Sequence, residues 1–147
     1  MSPRKEETMT LTLARRTWLA AAAGSCLTFA LSTAWAAPPV VEIIAFAHPP
    51  VQSALKPLRD SLARQGAKVR VVEIDMETPE AERRLQAVGL KGHIPVVILV
   101  DGQYRYQRAD GSTVEFVDFP SGPGTPPGVK GSWSAADVDA VLKTRLP

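Results

Sequence analysis

From residue 40 onward the chain switches between two hydrophobic periods. Val40 to Ala47 (VVEIIAFA) is apolar but for one charge, the pattern of a strand covered on both faces. After His48-Pro49-Pro50, residues Val51, Ala54, Leu55, Leu58 and Leu62 recur at helical spacing. They predict a helix from the proline pair to about Gln65, with Gly66 as its stop. Prolines suit a helix's first turn because the N–H they lack would have no partner there. Pro57 lies inside this helix and is expected to kink it. Val69 to Asp75 (VRVVEID) reads as a second strand, and Thr78-Pro79-Glu80 opens a short charged helix to Ala87 or Val88, with Thr78 as its N-cap. This β-α-β-α order predicts a parallel strand pair joined by a right-handed crossover.

The second half has shorter elements. Pro95 to Val100 (PVVILV) predicts a buried strand, Gln103 to Arg108 an alternating one, and Thr113 to Asp118 a third. Asp101-Gly102 and Asp110-Gly111 between them are strong hairpin turns. Residues 119–131 (FPSGPGTPPGVKG) hold four Pro and four Gly and are expected to form a loop, with Phe119 and Trp133 fixing its edges to the core. Ser134 then caps a final helix with Val138, Val141, Leu142 and Leu146 on one stripe. Altogether the pattern is α/β: a central mixed sheet of about five strands in the order β-α-β-α-β-β-β-α, with an extended C-terminal hairpin.

The first 36 residues follow other rules. Arg15 and Arg16 precede Trp18 to Leu31, a nearly uncharged run that ends in Ser32-Thr33-Ala34-Trp35-Ala36. Basic start, apolar stretch and small-x-small ending, with Ala34 and Ala36 as the small pair, are the parts of a cleavable export signal. The apolar run of ~14 residues is short of the ~20 that span a bilayer. Cleavage is expected after Ala36, leaving residues 37–147 as a single domain. The string Ala14-Arg15-Arg16-Thr17-Trp18-Leu19 resembles a twin-arginine signal, departing from it at Ala14 and Ala20; general secretory export is the other route. Both lead to the bacterial periplasm, with membrane contact only through an uncleaved signal.

Composition sharpens this division. The 147-residue chain has 17 Lys/Arg and 15 Asp/Glu, for a formal net charge of +2. Beyond residue 36 the two signs balance at thirteen each, so no basic patch dense enough for nucleic acid is expected. Cysteine is more decisive. The chain's one Cys is Cys26, inside the apolar stretch, so the exported domain has neither thiol nor disulfide. Ala23-Gly24-Ser25 lacks the Leu that a lipoprotein signal would place ahead of Cys26.

The order of elements, with a Pro-started and Pro-interrupted helix, a strand ending in Asp and the string Gly89-x-x-Gly92-x-Ile94-Pro95, resembles the thioredoxin-like superfamily. Val71 to Gly102 is its most specific part, and VEIIAFAHPPVQ is similar to glutaredoxin-type redox starts. The resemblance implies a thioredoxin-like fold over nearly all of the exported domain. It would place the Cys-x-x-Cys pair at Pro49-Pro50-Val51-Gln52 and the buried acid of that family at Ile43. Thiol–disulfide exchange needs a thiolate, so that activity is excluded for the domain. The resemblance also implies a cis Ile94-Pro95 bond that holds the Ile94 main chain toward a groove beside Pro49, where an extended peptide can add as a strand. The groove would comprise His48, Pro49, Pro50, Gln52, His93, Ile94 and Pro95; the other reading has the domain's own loop filling it.

His48 and His93 are the only imidazoles, and this order of elements brings them to one end of the sheet. Paired imidazoles can share copper or zinc, although a site normally has three or four ligands. The plainer reading has His48 hydrogen-bonded near the helix start and His93 bonded to a loop carbonyl. Tyr104 and Tyr106 form either a ligand face or hairpin packing, and Arg83 and Arg84 with Glu80 and Glu82 a solvated helix face. The expected function is that of an exported, redox-inactive binding or assembly-support protein, with no catalytic residue and no cofactor, whose partner is another periplasmic protein or an extended peptide. Two alternatives stand beside it: copper or zinc handling through His48 and His93, and an enzyme of another chemistry on the same scaffold.

Overall fold

The computed structural model describes residues 37–146. The export-signal reading, with Arg15, Arg16, Cys26, Ala34 and Ala36, lies outside the described residues. Strand β1 (Val40–Ala45) leads into helix α1 (Pro49–Gln65), a 3-10 turn (Gly66–Lys68), strand β2 (Arg70–Asp75) and helix α2 (Pro79–Ala87). Strands β3 (Val96–Val100), β4 (Arg105–Gln107) and β5 (Thr113–Glu115) follow, and helix α3 (Ala135–Lys143) closes the domain. Gly66 ends α1 with a positive φ, and the Thr78 hydroxyl accepts from the Ala81 N–H at the start of α2.

The sheet is mixed and small. β1 is central, paired parallel with β2 and antiparallel with β3. β4 and β5 form a separate two-stranded antiparallel ladder. This differs from one continuous sheet of about five strands. Beyond Glu115 the chain leaves β4 and turns to β3: the Ile98 N–H donates to the Phe116 carbonyl, the Asp118 N–H to that of Val96, and Val97 bridges Val117. A single run of residues thus serves two partners in succession, which shortens β5.

Because successive strand residues face opposite ways, β1 buries both sides. Val41, Ile43 and Ala45 join Leu55 and Leu58 of α1 and Val138 and Leu142 of α3 in one cluster. Ile44 joins Ile74, Ala81, Leu85, Val97 and Leu99 in a second, beneath α2. Glu42 shares this second side and is 6% exposed. Arg84 reaches it at 3.2 Å, so this residue of α2 is not simply part of a solvated face. A buried carboxylate without such a partner would be strongly unfavourable.

Helix α1 runs through Pro57. Residue 57 has no N–H, so the Ser53 carbonyl four positions earlier loses its helical donor. The long loop comes down on this spot: a Cβ on Gly124 would lie 2.3 Å from the Ser53 oxygen. Only glycine allows that approach, and its φ of +86° also favours glycine. Residues 119–131 are therefore held down. The Ser121 N–H donates to the Trp133 carbonyl at 2.6 Å, and the fully buried Trp133 indole donates to the Val117 and Asp118 carbonyls. Phe119 is partly buried against the same core.

Candidate functional site

The predicted groove residues meet at the C-terminal end of β1, around Phe46, a residue the sequence pattern did not single out. The Phe46 N–H donates to the Pro95 carbonyl at 3.2 Å, and its own carbonyl accepts from Gln52 Nε2 at 2.7 Å. Its ring lies 5.3 Å from that of His48 and 4.7 Å from that of His93, centroid to centroid. The backbone order explains this. β1 runs directly into α1, which fixes His48 and Gln52, and its antiparallel partner β3 begins just after Pro95. His48, Gln52, His93 and Pro95 are thereby gathered from two segments more than forty positions apart.

Among the described residues neither imidazole takes the hydrogen bond that the plainer reading gave it. His48 occupies the N-cap position of α1 without a side-chain cap bond. His93, exposed like His48, tilts over Phe46. Ile94 is half-buried against the second core cluster, and among the described residues no hydrogen bond reaches its N–H or carbonyl. Its main chain is left free next to Pro95, whose carbonyl is used. A groove of ≈ 730 Å³ opens beside it, between Phe46 and α2, lined by apolar Met76, Leu85 and Leu90 and by the polar Glu82, Lys91 and His93.

The start of α1 is poor in chemistry. Pro49 and Pro50 occupy its first two positions and are exposed, Val51 is buried, and Gln52 is engaged with Phe46. Two of the four amides that a helix N-terminus offers to an anion are missing, and the Gln52 N–H already bonds the His48 carbonyl. Ile43, below, is fully packed in the apolar core. This end of the molecule can recognise a ligand through main-chain groups, aromatic and imidazole faces and apolar contact; its four residues from Pro49 to Gln52 supply no nucleophile.

Among the described residues no three His, Cys, Asp or Glu side chains gather where they could hold a metal ion. Of the remaining candidates, Tyr106 and Tyr104 pack against different core clusters and do not form one ligand face. The Tyr106 hydroxyl donates to the Val100 carbonyl, and burial, foremost, raises its pKa. Among the described residues no helix is long and apolar enough to cross a membrane. Comparison with family models, curated proteins and solved structures gives no match for this chain. What is established is a mixed α/β domain with a small mixed sheet, a two-stranded hairpin and three helices.

Proposed function

We propose that this chain is an exported, thioredoxin-like protein of the periplasm that has no redox activity and acts as a binding or assembly-support module for an extended peptide or partner protein. The observation that carries the reading is the unpaired main chain of Ile94, next to Pro95 and at the edge of an open groove. An N–H and a carbonyl on one residue are what an incoming strand needs, and strand addition requires no sulfur. Support also comes from the element order: a central strand parallel to one neighbour and antiparallel to the other, with helices on both faces, is compatible with the thioredoxin-like resemblance. Where that resemblance would put the thiols stand Pro49, Pro50, Val51 and Gln52.

The test is site-specific photo-crosslinking in cells. A photoreactive side chain at position 94 should give discrete adducts, and the same group at exposed Arg83 on α2 should not. Equal adduct patterns from both positions would remove the binding reading. Purified protein should show no insulin-disulfide reduction; measurable turnover would remove the redox-inactive reading.

A second reading is favoured by one observation, the placement of His48 and His93 on the same Phe46 ring. In that reading the two imidazoles offer nitrogen to copper or zinc, with the remaining ligands supplied by a partner or by water. Titration with each metal separates the two readings: affinity that falls in both His48→Ala and His93→Ala supports metal handling, and affinity unchanged in either variant rejects it.

A further inference from the structure

Helix α2 is lightly seated on the sheet. It buries only Ala81 and Leu85, whereas α3, of the same length, buries Val138, Val141 and Leu142. At helical spacing the inward stripe of α2 is Ala81, Arg84, Leu85 and Val88, so a charge stands where an apolar residue would continue the seam. Glu42 faces it from the side of β1 that carries Ile44, and its register partners Val72 and Leu99 belong to the same apolar cluster. Arg84 Nε lies 3.2 Å from Glu42 Oε1 and is the one ion-pair partner of this buried carboxylate among the described residues. The Arg84 side chain is 47% exposed and also stands 3.7 Å from Glu80, one turn earlier on α2.

Stability does not account for such a pair, because apolar side chains of similar volume hold a buried seam as well or better. What the pair supplies is one register for α2 and a way to release it. Once Arg84 leaves, the Glu42 carboxylate needs water, and water reaches it where α2 rises from the sheet. The helix is also a wall of the groove at Ile94, which Glu82, Leu85 and Gln86 line from α2 and Phe46 from β1's end. Gly89 to Gly92 join this wall to His93 and Ile94, and both glycines have positive φ. Among the described residues the main-chain bonds of this segment run back to α2, from the Gly89 N–H to the Gln86 carbonyl and from the Leu90 N–H to that of Leu85. The joint is therefore bonded to the helix and not to the sheet, as a hinge at the end of a moving element is.

We propose that the Glu42–Arg84 pair is a latch, and that its opening lets α2 lift as a movable wall of the groove at Ile94. With the latch closed, the groove has the width seen here; with it open, a bulkier side chain of the bound segment is admitted beneath α2. Glu42 and Arg84 are thus positioning residues, acting on the groove through the helix. The inference rests on the reading of that groove as a site for an extended peptide.

The test is amide hydrogen exchange of the purified protein, read by mass spectrometry, together with photo-crosslinking from position 94 in the same variants. Arg84→Ala leaves the carboxylate buried without its partner, so the α2 amides should exchange about tenfold faster while those of α3 keep their wild-type rates. Arg83→Ala, on the outer side of α2, should change neither. Glu42→Leu/Arg84→Met turns the latch into a permanent apolar seam. Its α2 amides should exchange no faster than in the wild type, and its adduct yield at position 94 should fall because the wall no longer lifts. Wild-type exchange of α2 in Arg84→Ala overturns the proposal. So does an acceleration shared equally by α3, or an undiminished adduct yield in the double variant. Absence of discrete adducts from the wild-type groove removes the peptide-binding reading instead, and the exchange rates then decide the latch by themselves.

Discussion

Two regions of the domain are built in opposite ways. Where the hairpin, the long loop and α3 converge, polar groups are tied to one another in a network. Arg108 forks to Asp137 at 2.7 and 3.2 Å and also reaches the Ser132 carbonyl. Asp137 in turn accepts from the Ser134 N–H and hydroxyl, and the Ser134 hydroxyl accepts from the Asp137 N–H, completing a reciprocal cap on α3. A Cβ on Gly131 would meet the Pro120 carbon at 2.1 Å, which shows how closely the loop's two stems run. In the other region, around Phe46, the imidazoles are exposed, and among the described residues they carry no hydrogen bonds and the Ile94 main chain is unpaired. Regions used for recognition keep polar groups unsatisfied until a ligand arrives, whereas regions that close a fold cannot leave them so. The long Pro/Gly-rich loop is thus structural, and the open site lies at the C-terminal end of the central strand.

The largest effect should come from breaking the closed region. Trp133→Ala empties the centre of the first core cluster and frees the Val117 and Asp118 carbonyls, so a loss of about 3–5 kcal/mol is expected in denaturant unfolding. A loss below about 1 kcal/mol would mean that the loop is not held through the indole.

Next in size is the charged fork. Asp137→Ala removes the carboxylate half of the reciprocal cap and the Arg108 partner, for an expected loss of about 1–2 kcal/mol. The wild-type pair should also be visible in the pH dependence of stability. The hydrogen bond from Arg108, foremost, holds the Asp137 carboxyl below its ordinary range, with Ser134 adding to it and burial opposing. A carboxylate with a depressed pKa in the folded state contributes stability that is complete above its unfolded value and is lost as pH falls through the folded one. Stability should therefore drop more steeply below about pH 4 in the wild type than in Asp137→Ala. Parallel curves would show that the fork contributes nothing.

The smallest stability changes belong to the open region. His48→Ala removes a ring that makes no hydrogen bond and should cost less than about 0.5 kcal/mol. Gln52→Ala should cost about 1 kcal/mol, because the Phe46 carbonyl loses its donor. If either variant destabilised the domain as much as Asp137→Ala, the contrast between the two regions would fail.

Much of this architecture could be read from residue patterns. The bounds of α1 followed from Pro49, Pro50 and Gly66, and those of α2 and α3 from Thr78 and Ser134, because caps and prolines act on the backbone within one turn. The parallel pairing of β1 with β2 followed from the helix between them. The extent of β5 did not. Thr113 to Asp118 alternates like one strand, yet its second half pairs with β3, and only the meeting of two sheets decides where such a run divides. Of the candidate site, His48, Gln52, His93 and Pro95 were legible as neighbours. Their common centre was not, since Phe46 in VVEIIAFA looks like any other apolar residue. Nor was the descent of Gly124 onto Ser53, which depends on a loop arriving from far along the chain.

Local chemistry was thus settled by the sequence alone: where helices begin and stop, which strands are buried on both faces, and that no cysteine lies beyond residue 26. These depend on bonds and contacts among near neighbours. Which main-chain groups stay unpaired, as at Ile94, was decided by the tertiary structure. An amide counts as free only after every distant segment has taken its place, and no local pattern carries that information.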